Sequence, residues 1–541
     1  MTGTTGDASD AAHGTTGATD PTGVPATASE PTASLHLAVA LDGAGWHPAA
    51  WREEGARPGE LLDADYWADL ITEAERGLLD FVTFEDVLGL QSAAFHLPDD
   101  RTDQVRGSID AVLLAAYLAP LTQHIGLVPT TNVTHTEPFH LAIGIATLDH
   151  ASRGRAGWRP QIASRAADAA LFGRRTTPQL TEHDVGDSAS ISAPLRALFT
   201  EGAEVVRAAR LLWDSWEDGA EIRDAATGRF LDRDKIHPID FRGTNFSVKG
   251  PSITPRTPQG QPPVVSLAHA TVPYEFAALS SDVVAITPHG RAGTVAILAE
   301  VAEAVERTGR NVSERPLRTF ADLIVLLDDE PGAAARRKAR LDELAGAELV
   351  SDAEVFTGTP AELADLLVDR HSTGLDGFRL RPAGLPHDLT AITRGLVPEL
   401  QRRGVFRTEY ASTTLRGHLG LARPASRYAK GGDARYRGSE PGRPWPGPRR
   451  RPRTKDQRHD DRRPEQGGHP GGHGEPSRRR PPLGHRERTR ARLPPAAPDV
   501  ETGPEALPDH SARRRGVRGG SARRSPVFSK AAARDSRALS S

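Results

Sequence analysis

The sequence predicts an α/β protein built on one (β/α)8 TIM barrel, and three observations carry that expectation. From Leu35 to Leu400, eight short apolar runs alternate with longer amphipathic ones, the rhythm of β/α units. The runs are apolar almost from end to end, as strands of a parallel sheet covered on both faces must be. No Gly-x-Gly-x-x-Gly follows the first run, so eight units favour a closed barrel over an open dinucleotide-binding sheet.

LHLAVAL (35–41) reads as the first strand, and Leu62, Tyr66, Trp67, Leu70, Ile71 and Ala74 then recur at helical spacing. DFVTFED (80–86) is the second strand, after which Ser108 is expected to cap a helix carrying Ile109, Val112, Leu113 and Ala116. HIGLVPT (124–130) is the third, followed by a helix over 139–151. RAGWRPQIA (155–163) is the fourth, followed by a helix with Val205, Val206, Ala209, Leu212 and Trp213. PPVVSLA (262–268), SDVVAIT (281–287), FADLIVLL (320–327) and GFRLRP (377–382) complete the eight. Thr294 precedes a helix with Val295, Leu298, Val301 and Val305. Thr359-Pro360-Ala361-Glu362 is a capping box with proline at the first helical position, and a last helix carries Leu389, Ile392, Leu396 and Leu400. Two long polar stretches, 164–195 and 214–261, interrupt the rhythm and are expected as insertions on the C-terminal rim.

Composition divides the chain into a leader (1–33), the barrel (34–429) and a tail (430–541). The leader is almost wholly Thr, Ala, Gly, Asp, Ser and Pro, with no apolar period to bury, and reads as disordered. The net charge of -3 hides an asymmetry: from Lys430 onward about 28 basic residues face about 13 acidic ones. This Arg/Pro/Gly-rich tail cannot bury enough apolar surface to offset its ordering entropy, so it too is expected to be disordered. Ordered patterning stops abruptly after Tyr428, and such text is also what a GC-rich gene yields in a shifted frame, the reading we favour. Nucleic-acid binding by the tail is disfavoured because aromatic residues are too sparse for a stacking platform.

The chain has no cysteine, which excludes a disulfide framework, a thiol nucleophile and cysteine-held metal. No signal peptide is recognisable and no apolar run approaches the ~18 residues that cross a bilayer, so a cytoplasmic protein without membrane partners is expected. His135 and His140 are five apart, not the four that one helix face would need, and no metal site is expected. A Gly-x-Ser-x-Gly hydrolase elbow is absent.

A barrel carries its site at the C-terminal ends of its strands. Reading just past each strand collects Trp46, His47 and Trp51, then Glu85 and Asp86, then Thr130, Thr131 and Asn132. Trp158 and Arg159 follow from the fourth strand, and His269, Ala270 and Thr271 from the fifth. Tryptophans, hydroxyls and an amide around one mouth suit a flat heteroaromatic ligand.

Five segments together resemble the luciferase-like flavin monooxygenases, in the branch with nitrilotriacetate, dibenzothiophene-sulfone and long-chain alkane monooxygenases. They are AERGLLDFVTFEDVLGL (74–90), IGLVPTTNVTHTEPFHLAIGIATLDHASRGRAGWRPQIA (125–163), LLWDSWEDGA (211–220), FRGTNFSVKGPSITPRTPQGQPPVV (241–265) and FTGTPAELADLL (356–367). FRTEYASTTLRGHLGLARPASRY (406–428) matches the usual end of such chains. The resemblance implies a two-component enzyme: a partner flavin reductase supplies reduced FMN, which reacts with O2 to oxygenate a small organic substrate. Related proteins that use the deazaflavin F420 for hydride transfer set the alternative cofactor, and a non-catalytic ligand-binding barrel is the alternative outside catalysis. Homodimers are common in the superfamily, and the same expectation extends here by analogy.

By similarity, Asp86 matches the family's acidic residue beside the flavin, Thr130 its threonine after the third strand, and Asn132 the adjacent polar position. Where the family usually has GWNVVTS this chain has GWRPQIA, so Arg159 and Ile162 stand in place of an Asn and a Thr. A His-x-x-x-Tyr pair becomes Leu195 and Phe199, and the phosphate-binding Ser and Gly become Ala270 and Pro273. The expected phosphate contacts are therefore the backbone amides of Ala270 and Thr271, with added charge from Arg159. Trp158 and His269 are expected near the cofactor, and His47 is the candidate proton donor because imidazole titrates near neutrality.

Overall fold

The structure, a computed structural model, describes residues 35–90, 99–176 and 193–429. The expected disordered leader and tail lie outside the described residues, as does half of the first insertion, 177–192.

Eight parallel strands form the barrel: β1 (His36–Leu41), β2 (Phe81–Phe84), β3 (Gly126–Asn132), β4 (Arg159–Gln161), β5 (Val265–Leu267), β6 (Val283–Ile286), β7 (Arg318–Leu327) and β8 (Gly377–Pro382). All eight fall on the runs read from the sequence. They pair in the order β4-β3-β2-β1-β8-β7-β6-β5, each beside its neighbour in the chain, with β1 joining β8 through His36 opposite Gly377. The ring closes between β4 and β5, where Trp158 N donates to Pro263 O (2.9 Å) and Val265 N donates to Trp158 O (2.8 Å). Helices cover the outside and bury Leu37, Val39, Leu41, Val82 and Phe84 beneath Tyr66, Leu70, Ile71, Leu114 and Leu118.

A ninth strand, Glu354–Gly358, was not expected. It pairs in parallel with Leu323–Leu327 of β7 at the level where β6, which pairs with Arg318–Ala321, has ended. Its five residues run straight into the capping box, so in the sequence they pass as the approach to a helix. Both reciprocal bonds of that box form, Glu362 N to Thr359 Oγ1 (3.3 Å) and Thr359 N to Glu362 Oε2 (2.8 Å).

Two helix starts differ from expectation. Asp110, not Ser108, caps Ala111–Leu118 by accepting from Leu113 N at 2.8 Å, a carboxylate being favoured at a helix N-terminus. Leu113 is consequently exposed and Leu114 buried. The helix expected after Thr294 starts at Gly290, and the Thr294 hydroxyl donates to the Gly290 carbonyl inside it (3.0 Å).

The insertion at 214–261 is corrected more substantially: it lies at the N-terminal end of the barrel, not on the C-terminal rim. Helix Ala193–Asp214 carries the chain back from the mouth, so whatever follows it must lead to the start of β5. Along this stretch two small hairpins form, Glu221–Asp224 with Arg229–Leu231 and Phe241–Arg242 with Ser247–Val248. Gln259 then anchors the stretch, its amide donating to Asp149 Oδ1 (2.6 Å) and to the Ala156 carbonyl (2.8 Å).

The barrel floor is apolar. Leu415, Leu419 and Leu421, from the short helix Leu415–His418 and the turn after it, pack up against Ala38, Phe81, Val128, Val265, Val283 and Phe320. Two strand-start glycines make room for this plug. A Cβ on Gly126 would stand 2.6 Å from Leu415 Cδ1, and one on Gly157 would stand 3.0 Å from Leu415 Cδ2.

Candidate active site at the barrel mouth

Side chains alternate between the two faces of a strand, so every second residue of each barrel strand points inward. Above the floor several of these inward positions are charged. From β8, Arg379 binds Asp322 of β7 through both ends of its guanidinium (2.9 and 2.5 Å), and also reaches Thr83 Oγ1 (2.9 Å) and Glu85 Oε1 (3.0 Å). Arg381, two residues on, donates to Asp322 (2.8 Å) and to Asp352 (2.8 Å), the latter carried in just ahead of the ninth strand. Arg159 of β4 completes the set by pairing with Glu85 and donating to Thr130 Oγ1 at 2.7 Å. Three guanidiniums thus meet three carboxylates, and all three arginines are almost fully buried.

Burial alone would push these carboxyls up, but the arginines outweigh it. Glu85 and Asp322 are held below the ordinary carboxylate range, and Asp352 falls to about 2. Such an arrangement is stable only while complete, since removing one partner strands a buried charge.

Above the network opens a cavity of about 380 Å³. Trp46, His47, Pro48 and Trp51 form one wall, Asp86 to Leu88 and Val105 another, and Asn132 with Gln161 to Arg165 a third. Both tryptophans are fixed by their indole N–H groups, Trp46 to the Ala40 carbonyl and Trp51 to the Asp103 carbonyl (3.0 Å each). The Arg381 guanidinium lies 4.6 Å from the centre of the Trp46 ring.

The mouth gathers only part of the set expected from the sequence. Asp86 and Asn132 line the cavity. Asp86 is half-buried, its carboxyl raised by that burial, and it accepts from Ala111 N at 3.3 Å. Asn132 is 6% exposed; its carbonyl oxygen accepts from Thr134 N and His135 N (3.0 and 2.9 Å). Its side-chain Nδ2 is buried without a hydrogen-bond partner among the described residues. Thr130 sits below, engaged with Arg159.

His47 lines the cavity but is spent. Its Nε2–H donates to Asp342 (3.1 Å) and its Nδ1 accepts from Ala49 N (3.1 Å), while burial lowers its pKa. In this arrangement the Nε2 proton points to Asp342 rather than into the cavity. Arg159, expected to offer charge to a phosphate, is committed to Glu85 and does not line the cavity. Trp158 belongs to the outer core, edge-on to Trp213 and donating to Thr131 Oγ1 (2.6 Å).

His269, Ala270 and Thr271 do not line the cavity either. Burial lowers the pKa of His269, which faces the charges of Asp352 and Arg381. Ala270 is the N-cap of Thr271–Ser280, with no side-chain cap. Leu195 and Phe199 pack in the outer core, Phe199 edge-on to Phe276.

The charged interior and Asp42 were missed in the sequence. The signal was present: Arg379 and Arg381 stand two apart in one apolar strand and Asp322 interrupts another, and charges so placed must be paired. Asp42, one residue beyond β1, lines the cavity with its carboxyl raised to about 7 by burial, then by Glu85, against a smaller opposing pull from Arg159.

A closed parallel barrel with a charged interior and a cavity at its strand C-termini has the architecture of barrel enzymes, which carry their sites at that end. The luciferase-like monooxygenase family matches residues 44–349, and the chain belongs to that family of flavin-dependent monooxygenases. The nitrilotriacetate monooxygenase component A of Aminobacter aminovorans is 32% identical over 460 residues, covering 73% of this chain and 98% of that protein. The N-acetyl-S-(2-succino)cysteine monooxygenase of Bacillus subtilis is 30% identical over 456 residues, with the same coverage. Among solved structures, EDTA monooxygenase from Chelativorans sp. BNC1 superposes with a TM-score of 0.61 at 22% identity, covering 72% of this chain and 99% of that one, and shares the fold. No helix among the described residues is long and apolar enough to cross a membrane.

Proposed function

We propose that the mouth cavity holds the ring of reduced FMN, delivered by a separate flavin reductase, and that the bound flavin activates O2 to oxygenate a small organic substrate. The observation that carries this is Asn132: a buried amide N–H without a partner, on the wall of an aromatic-sided cavity, is a donor waiting for a ring acceptor. Asp86, at the end of the neighbouring strand, suits a ring N–H, and Trp46 and Trp51 offer rigid apolar faces. The flavin supplies the electrons for oxygen activation. The protein's residues bind and orient it, and the apolar wall of Val87, Leu88 and Val105 keeps water from the reacting centre. For the phosphate we assign the uncapped helix start at Ala270 and Thr271, whose amide N–H groups and dipole favour an anion. Thr130 contributes indirectly by holding Arg159 in place. A homodimer fits the exposed Leu113 and Tyr117 of one outer helix and Leu121 of the turn that follows it. We place the enzyme in the cytoplasm, where a reductase can hand over reduced flavin before air oxidises it.

Anaerobic titration of the full chain with reduced FMN, followed by admission of air, tests the reading. Saturable binding with slowed reoxidation is expected, and Asn132→Ala should weaken binding by about 10-fold, the loss of one hydrogen bond to a buried group. No binding by the folded protein would overturn it.

A further inference from the structure

We propose that Asp42 is the catalytic acid of this pocket, holding the proton that is passed to the departing oxygen during oxygen transfer. The proposal rests on the reading that the cavity takes reduced flavin.

Three facts of geometry single out this residue. Asp42 occupies the inward position two residues beyond Ala40 on β1, at the junction between the charged network and the cavity it lines. The three arginines beneath it are each already engaged with Glu85, Asp322 or Asp352, so the buried network is balanced without it. A further carboxylate at that place would be a surplus negative charge beside Glu85, a cost relieved by taking up a proton. The charged and titratable groups around it are Glu85 and Asp86 after β2, Arg159 on β4, Arg165 and Asp168 just beyond β4, and His47 from its own loop. Arg159 is the opposing charge that acts on it and is held by Glu85, and burial lowers the pKa of His47. The resulting carboxyl, poised at about 7, is matched to proton transfer near neutral pH.

The chemistry balances. The substrate and reduced flavin each give up two electrons and O2 takes four; one oxygen atom joins the substrate and the other leaves as water. Asp42 gives its proton to the leaving oxygen and regains one from the two hydrogens that reduced flavin releases. It is therefore a relay and is not consumed.

Two measurements test this. First, infrared difference spectra of the cofactor-free protein between about pH 6 and about pH 8 should show a protonated-carboxyl band disappearing, and Asp42→Asn should abolish it. A band unchanged in Asp42→Asn would overturn the proposal, and this readout needs neither flavin nor substrate. Second, without substrate both oxygen atoms leave as hydrogen peroxide and the departing oxygen needs the same proton, so the air reoxidation of bound reduced FMN should slow above about pH 7 in the wild type. Asp42→Asn should be about 100-fold slower at pH 6 with no pH limb, and Asp42→Glu should restore the limb. A variant with wild-type rate and profile would sink the assignment. Failure of the wild type to bind reduced FMN would instead refute the proposed function, leaving the infrared result to decide the state of Asp42.

Discussion

The two ends of the barrel interior solve the same packing problem with opposite materials. At the floor, Phe81, Phe320, Val128 and Leu415 fill the space with apolar volume that needs no partner. At the mouth, the equivalent inward positions hold Arg159, Asp322, Arg379 and Arg381, whose stability depends on every partner being present. Apolar packing tolerates partial loss, because a cavity costs only the contacts removed. A buried ionic network does not, because what remains after a deletion is an unpaired charge. The floor is thus suited to holding the fold, and the mouth to presenting a fixed field to a polar ligand.

Three substitutions probe that contrast, beginning with the largest effect. Asp322→Ala leaves Arg379 and Arg381 each short of a partner and should cost about 3–5 kcal/mol, read from urea unfolding. A loss no larger than that of a surface substitution would mean that water or rearrangement already shields the network. Leu415→Ala opens a cavity in the floor and should cost about 2–4 kcal/mol. Here the loss should be the same at all pH values, and binding of reduced FMN should be unchanged. A change in flavin affinity would show that the two ends are coupled.

The third is smaller and sharpens the comparison by its pH dependence. Asp42 binds its proton more tightly folded than unfolded, so its favourable contribution is complete below the unfolded pKa and is lost as pH rises through about 7. Asp42→Asn should therefore raise stability at about pH 8 by on the order of 1–2 kcal/mol, allowing for screening from the open cavity, and leave it unchanged near pH 3. Thermal unfolding at the two pH values reads it directly. Equal stability at both would place the ionised carboxylate in better company than its neighbours suggest.

Most strands of the barrel were legible as apolar runs, the pattern that burial on both faces favours, while β4 and β8, which carry Arg159, Arg379 and Arg381, fit the β/α rhythm more than the pattern. The capping box at Thr359 was legible because its chemistry is local. The ninth strand was not, because its side chains Glu354, Val355, Phe356 and Thr357 are only half-buried and carry no clean period. The side of the barrel on which 214–261 lies was misjudged from length and polarity alone; the direction of the preceding helix decides it. Within the site, Asp86 and Asn132 could be found as residues just past strand ends. His47 and Arg159 could be found but not understood, since their roles are set by Asp342 and Glu85, distant in sequence. Asp42 was passed over because nothing local marks a carboxyl whose counter-charges are already taken.

The ninth strand also reshapes the throat. Below it the ring counts eight strands; at the level of Leu323–Leu327 the extra strand stands where β6 has left off. Each added strand lengthens a ring by about 4.8 Å, so this one works against the narrowing that the end of β6 would otherwise impose. The ring is thereby sealed at its floor, while at its mouth the extra strand takes the place that β6 has vacated. The same stretch that supplies the extra strand also delivers Asp352 to Arg381, so the backbone of the throat wall and the charge on it come from one piece of chain.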